Sequence, residues 1–240
     1  MLRICDTAKT PLEISATFCG AHAVPKDSTE DKQTELICNE VIPLIKKEKE
    51  LGRLSNVENI DVFWQAIGLH ANFHAEELSY IGGVEMGNSI KARAMSHLEE
   101  ISDEGIAGMA ASEAVAVLLP STAFILKIRP PPARKMIDQG VICCLGSDFN
   151  PNAHCLSMPT IMFLSCITMG LSMEEALVAA TLNSAHSIGR GLSHGAIAPG
   201  RVGDIVIISL PKWEHLIYQL GGHADIITHV IKKGQVVYAK

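Results

Sequence analysis

The sequence predicts an α/β chain: six strands of an incomplete (β/α)8 TIM-type barrel, followed by a β-rich tail. Three observations point there. Short apolar strands alternate with helical stretches from about residue 15 to 189, the pattern of a parallel sheet. Several of those strands end on a polar residue able to do chemistry, as strands do where a barrel opens into a site. The chain then closes on β-rich sequence, GDIVIIS (203–209) and HVIKKGQVVYAK (229–240). The expected organisation is an atypical N-terminus over 1–14, the partial barrel over 15–198 and the small β domain over 199–240.

The elements follow in order. SATFCGAHAVP (15–25) reads as a strand and its exit loop, and DKQTELICNEVIPLIKKEKELG (31–52) as an amphipathic helix. ENIDVF (58–63) and LHANFHAEE (69–77) are strand-like. Residues 79–91 read as helix, and KARAMSHLEE (91–100) holds a short strand. SDEGIAGMAAS (102–112) is a helix with Ser102 at its N-cap. AVAVLLPST (114–122) reads as a strand, and PPPARKMIDQG (130–140) as a helix started by proline and ended by Gly140. Residues 141–145 of VICCLGSD make a buried strand. A helical run extends from about Pro159 to Gly189 with a break near Gly170, and the final strands form a hairpin around Lys233-Gly234.

Composition narrows the classes. Hydrophobic residues make up 48% of the 240 and charged residues 19%, which predicts a packed core and excludes disorder. The net charge is −6 with no long basic run, which argues against a nucleic-acid surface. The longest apolar region, 105–126, contains Glu113 and Pro120 and reads as helix then strand, not as a membrane span. MLRICDTAKT lacks a signal-peptide core. The seven cysteines include no CxxC pair and read as reduced, mostly buried thiols of a cytoplasmic protein.

Polar strand ends supply the site candidates. His74 ends the strand in NFHAEE, His97 the strand in MSHLEE and Asp148 the strand in LGSDFN, while His22 follows the first strand in GAHAVP. Each has a plainer reading. Asp148 could bond nearby backbone or cap the next helix, His97 could cap the next helix, and His74 could make one isolated hydrogen bond. Glu99 and Glu100 read as solvated. Taken together, two histidines and an aspartate at strand ends are donors suited to Zn²⁺ or Fe²⁺. Glu77, three residues past His74, lies within reach of a substrate or a water.

FHAEEL, SHLEE, GSDFNPN and GAHAVP resemble the imidazolonepropionase family of the metal-dependent amidohydrolase superfamily. TLNSAHSIGRGLSHGAIAPGRVGDIVIIS is similar to the superfamily's closing pattern, which implies that the β-rich tail is a remnant of a small β-sandwich domain, and WEHLIYQLGGH (213–223) is similar to the imidazolonepropionases in particular. The resemblance covers nearly all of 15–240. It implies hydrolysis of the ring amide of 4-imidazolone-5-propanoate to N-formimidoyl-L-glutamate in histidine breakdown. It further implies one zinc or iron (Fe²⁺/Fe³⁺) per subunit, a small-molecule substrate and a homodimer. His74 and Asp148 match the metal ligands, and His97 the histidine beside the metal and its water. Glu77, His22, Asn150 and Asn152 match substrate-contacting positions, although Asn152 and Ala153 stand where the family often has Gly and a small hydroxyl residue. On that reading Asp148 takes and returns the water's proton, and His97 stabilises the oxyanion.

The chain also departs from the family. It has no HxH pair, and nothing matches the residues that grip the propionate arm. Only seven residues, Trp64 to His70, separate ENIDVF from ANFHAEE, whereas a crossover between parallel strands needs a dozen or more. The expectation is that an N-terminal part and a segment near Trp64-Gln65 are absent. Two alternatives stand beside the enzyme: a catalytically dead variant that only binds the full-length subunit, and another cyclic amidohydrolase or deaminase.

Overall fold

The structure is a computed structural model that describes residues 13–19, 24–60 and 70–240. Two compact units divide it, Met1–Phe73 and His74–Lys240, with the boundary inside one strand. His22, the Trp64-Gln65 junction and the end of ENIDVF lie outside the described residues.

In the first unit, β1 (Ala16–Phe18) pairs in parallel with β2 (Val57–Ile60), with Ala16 opposite Val57. β2 pairs in parallel with β3 (His70–Ala75) at Asn59–His70 and Ile60–Ala71. The predicted helix forms as α1 (Glu30–Leu36) and α2 (Ile42–Glu50), joined by a π turn at Ile37–Val41. Thr29 caps α1, its hydroxyl accepting from the Lys32 N–H at 3.3 Å. Pro43 accounts for the wide turn: it has no N–H to donate, and its ring crowds the carbonyl one turn back. Ile45 packs on Ala16, Leu54 and Val57 to form this unit's core.

In the second unit, β4 (Ala94–His97), β5 (Val115–Leu118) and β6 (Ile142–Leu145) run parallel, with Ala94 opposite Val115 and Val115 opposite Ile142. Their residues are almost all buried, as in a parallel sheet covered on both faces. The intervening helices are α3 (Gly83–Ser89), α4 (Asp103–Ser112), α5 (Pro120–Leu126) and α6 (Ala133–Asp138). Met95, Ile106, Met109, Leu118, Met136 and Ile161 are fully buried around them. Ser102 caps α4 as expected, accepting the Gly105 N–H at 2.8 Å.

Three expectations are corrected. AVAVLLPST is not one strand: β5 stops at Leu118, and Pro120 starts α5, because its fixed φ suits the first helical turn and a ladder hydrogen bond is unavailable to it. The helix expected over 79–91 spans only Gly83–Ser89. Among the described residues the cysteines are not mostly buried: Cys143 and Cys144 are, but Cys19 and Cys38 are exposed and Cys155 and Cys166 half-buried.

The long helical run breaks at Gly170, which adopts φ 71°, between α7 (Met158–Met169) and α8 (Met173–Val178). A π turn at Ala179–Asn183 leads to α9 (Ser184–Ser187). From there the Asn183 amide donates to the Cys143 carbonyl at 2.8 Å and the Ser184 hydroxyl to the Leu145 carbonyl at 3.1 Å. Gly146 N–H reaches Leu118 O, so by alternation Cys143 and Leu145 turn their carbonyls away from β5. Side chains thus satisfy two carbonyls on the far edge of β6.

The C-terminal elements are β7 (Ile205–Ile208), α10 (His215–Tyr218), α11 (His223–Ile226), β8 (Ile227–Lys232) and β9 (Gln235–Ala239), with the three strands forming an antiparallel sheet. The β8–β9 turn is Lys233-Gly234, both at positive φ (51° and 77°), the twist a two-residue hairpin favours.

Candidate active site

The site is built in the second unit at the C-terminal ends of its strands. Beyond the strand ends, Leu98 N–H donates to Ala75 O at 3.0 Å and Glu100 N–H to Glu76 O at 2.9 Å. These bonds hold the ends of β3 and β4 side by side. Four residues here adopt positive φ without being glycine: Glu76 (53°), His97 (77°), Leu98 (73°) and Asp148 (46°). Such conformations are uncommon for these residue types and cost about 1–3 kcal/mol each, so surrounding structure must enforce them. They fall at the ends of β3, β4 and β6, the strands that bear the candidate residues.

His74 and His97 meet edge to face, with ring centroids 5.0 Å apart and planes at 69°. His74 is exposed, while the His97 side chain is only 3% exposed. The His97 ring lies between two carboxylates. Its Nε2 is 3.7 Å from Glu77 Oε2 and its Nδ1 is 3.8 Å from Glu99 Oε2. Glu77 is one-third exposed, on the open side.

Glu99 is not solvated, contrary to its reading from sequence. Its side chain is 1% exposed, and neither carboxylate oxygen has a hydrogen-bond partner among the described residues. Burial pushes its carboxyl up to about 7. The charges of Glu77, Asp148 and Glu100 add to the rise, and only the pull of its own backbone N–H opposes it. Glu100 beside it is exposed.

Asp148 is three residues past β6 and caps no helix: α7 is capped by Ser157, whose hydroxyl accepts the Thr160 N–H at 3.3 Å. Likewise Ser102, not His97, caps α4. Asp148 Oδ2 accepts from the Thr122 hydroxyl at 2.6 Å and from the Asn150 amide at 3.1 Å. Asn150 also donates to the Asp148 carbonyl at 2.7 Å, and its own side-chain oxygen accepts the Asn152 and Ala153 N–H groups at 2.8 and 3.2 Å. Asn150 therefore braces the loop that presents Asp148. Asn152 is exposed at the rim of that loop.

The structure thus brings His74, Glu77 and His97 together at the ends of β3 and β4, and holds Asp148 on its own braced loop after β6. Sequence reasoning missed three supporting residues. Thr122 was hidden because Pro120–Thr122 read as strand. Glu76 stands next to the candidates but faces inward: 2% exposed, it accepts the Ile81 and Val84 N–H groups at 2.7 and 3.1 Å. Glu99 carried no signal, since an acid pair after a strand is usually wet.

As donors, imidazole and carboxylate suit zinc or iron, and His74 and Asp148 would be the residues to hold such an ion. As a set they are incomplete. Among the described residues of this unit, no three His, Cys, Asp or Glu ligand atoms come within 4.8 Å of one another.

The amidohydrolase family pattern matches residues 67–237, most of the chain. The chain belongs to the amidohydrolase family. Among its relatives, a Nematostella vectensis protein named probable imidazolonepropionase is 51% identical over 259 residues, covering 100% of this chain and 60% of that protein. Proteins of the same name from Bos taurus and Homo sapiens are each 48% identical, covering 100% and 99% of this chain and 61% and 60% of their own lengths. This amidohydrolase chain therefore spans about 60% of the length of the curated relatives it matches. The Nematostella alignment is also longer than the 240 residues of the chain, so that relative has residues between matched segments that are absent here. Among solved structures, a Xanthomonas campestris adenosine deaminase with bound zinc superposes with TM-score 0.71 at 16% identity, covering 94% of this chain and 60% of that one. A guanine deaminase from C. acetobutylicum gives 0.67 at 19%, covering 94% and 66%. At such identities the likeness shows the fold, and the amidohydrolase chain is part of a parallel α/β barrel of that kind. Among the described residues, no helix is long and apolar enough to cross a membrane.

Proposed function

We propose that the protein to which this chain belongs hydrolyses the ring amide C–N bond of 4-imidazolone-5-propanoate to N-formimidoyl-L-glutamate, a step of histidine breakdown. The observation that supports this most directly is the group His74, Glu77 and His97 at the ends of β3 and β4, with Asp148 braced at the end of β6. The roughly half identity to proteins named probable imidazolonepropionase supports this substrate. Buried, reduced thiols at Cys143 and Cys144 suit a cytoplasmic setting.

A ring amide is a poor electrophile and water a poor nucleophile, so the site must move protons and stabilise charge. Asp148 serves as the base that takes the attacking water's proton and later passes it to the leaving ring nitrogen. Thr122 and Asn150 occupy one of its oxygens by donation, which leaves the other to do this. His97, through Nε2, stabilises the negative charge that develops on the carbonyl oxygen. Glu77, beside Nε2 and open to solvent, accepts from the imidazolone ring. Asn152 contacts substrate from the rim, and His22 does so from beyond the described residues. Zinc or iron held in part by His74 and Asp148 would supply a water acidic enough to ionise near neutral pH.

Turnover of 4-imidazolone-5-propanoate by the natural polypeptide, followed by loss of the imidazolone absorbance, tests the reading. Asp148→Asn should lower kcat by about 100-fold or more while far-UV circular dichroism stays unchanged, because Asn keeps the shape but cannot take the proton. Wild-type protein without turnover, or an Asn variant with substantial kcat, would defeat it.

A further inference from the structure

Glu99 is a buried acid with no job in the chemistry above. Its side chain is 1% exposed and its two oxygens are without hydrogen-bond partners among the described residues. Buried carboxyls are ordinarily satisfied, and an orphan of this kind calls for a physical reason. The nearby group that fits is His97 Nδ1, 3.8 Å from Glu99 Oε2, while Nε2 on the other side of the ring faces Glu77. The separation is longer than a hydrogen bond, about 2.7–3.2 Å, so the two buried atoms face each other without one between them in this structure.

An imidazole has two inequivalent nitrogens, and the hydrogen bond made by one decides what the other can do. We propose that Glu99 is the positioning residue of His97: its carboxyl O–H donates to Nδ1, so that the ring proton sits on Nε2 and is presented to the reacting amide. The left-handed turn through His97 and Leu98 (φ 77° and 73°) supports this, since it folds the chain back so that the acid two residues on reaches the ring. Leu98, fully buried and bonded to Ala75 O, fixes that turn. The inference rests on the reading that His97 acts on the substrate amide. It gives the Glu77–His97–Glu99 row a division of labour, with Glu77 on the substrate side and Glu99 behind the ring.

The test has a readout independent of turnover. In ¹⁵N-histidine-labelled natural polypeptide, long-range ¹H–¹⁵N correlation shows which ring nitrogen of His97 carries the proton, with the signal assigned by its loss in His97→Asn. The wild type should show the Nε2–H form. Glu99→Ala should abolish that preference and lower kcat about 10–100-fold, as loss of a partner behind an active-site imidazole commonly does, with KM within about twofold. Glu99→Gln, whose amide N–H still donates to Nδ1, should keep the tautomer and most of kcat. An unchanged tautomer in Glu99→Ala would overturn the proposal, and so would a Gln variant as impaired as the Ala variant. A Glu99-dependent tautomer in a protein that does not turn over imidazolone propanoate would support the positioning role and refute the proposed reaction separately.

Discussion

Glu99 shows how far burial can move one residue from its expected behaviour. A carboxyl with a folded pKa of about 7, against 4.5 for the free group, binds its proton more tightly in the folded chain than in the unfolded one. Its contribution to stability is therefore fully present below about 4.5, falls as pH rises towards 7, and is lost above that, by about 3 kcal/mol. Glu99→Gln removes this slope. Urea unfolding should show the Gln variant more stable than wild type at pH 8 and matched to it near pH 4.5. Equal stabilities at both pH values would mean the acid is not dehydrated as the structure shows it. Asp148, by contrast, is held by two side-chain donors, Thr122 and Asn150.

At the scale of elements, the strand ends depend on a loop organised by one inward-facing acid. Glu76 takes two backbone N–H groups, those of Ile81 and Val84, and α3 starts only where that loop ends. Glu76→Ala would leave both donors without their acceptor, at about 1–3 kcal/mol for each that is cut off from water. Unfolding measurements should show a loss of about 2–4 kcal/mol, and amide exchange at Ile81 and Val84 should speed up. Slow exchange retained in the variant would show that the loop holds itself. The far edge of β6 is treated in a related way, with Asn183 and Ser184 donating to alternate carbonyls. Asn183 closes the π turn Ala179–Asn183, and Ser184 follows it.

At the scale of the molecule, the ligand question dominates. The proposed ligands, His74 and Asp148, number two, and a catalytic zinc site usually has three protein ligands. The 240-residue chain, loaded with zinc or iron and then dialysed, should retain well under one ion per chain by elemental analysis. A near-stoichiometric ion that is lost in His74→Ala would show that the chain completes a site by itself. The relatives it matches extend beyond it, so the same measurement on the natural polypeptide is the informative comparison.

Periodicity alone determined much of this protein. The alternation of apolar runs and helical stretches placed β4, β6, the capped helix after Ser102, the break at Gly170 and the Lys233-Gly234 hairpin, because each depends on local propensity and on burial that leaves a pattern in neighbouring residues. Strand ends were legible for the same reason, which is why His74, Glu77, His97 and Asp148 could be named without coordinates. Only tertiary structure decided the rest. Whether Glu99 meets water depends on what packs over it, not on its neighbours in sequence. That Thr122 holds Asp148 depends on α5 beginning at Pro120 and bringing the two together from 26 positions apart. The same holds for Glu76, whose partners are backbone amides that any residue supplies. Contacts of this kind leave no trace in composition or spacing, since the chain encodes them through the path of its backbone.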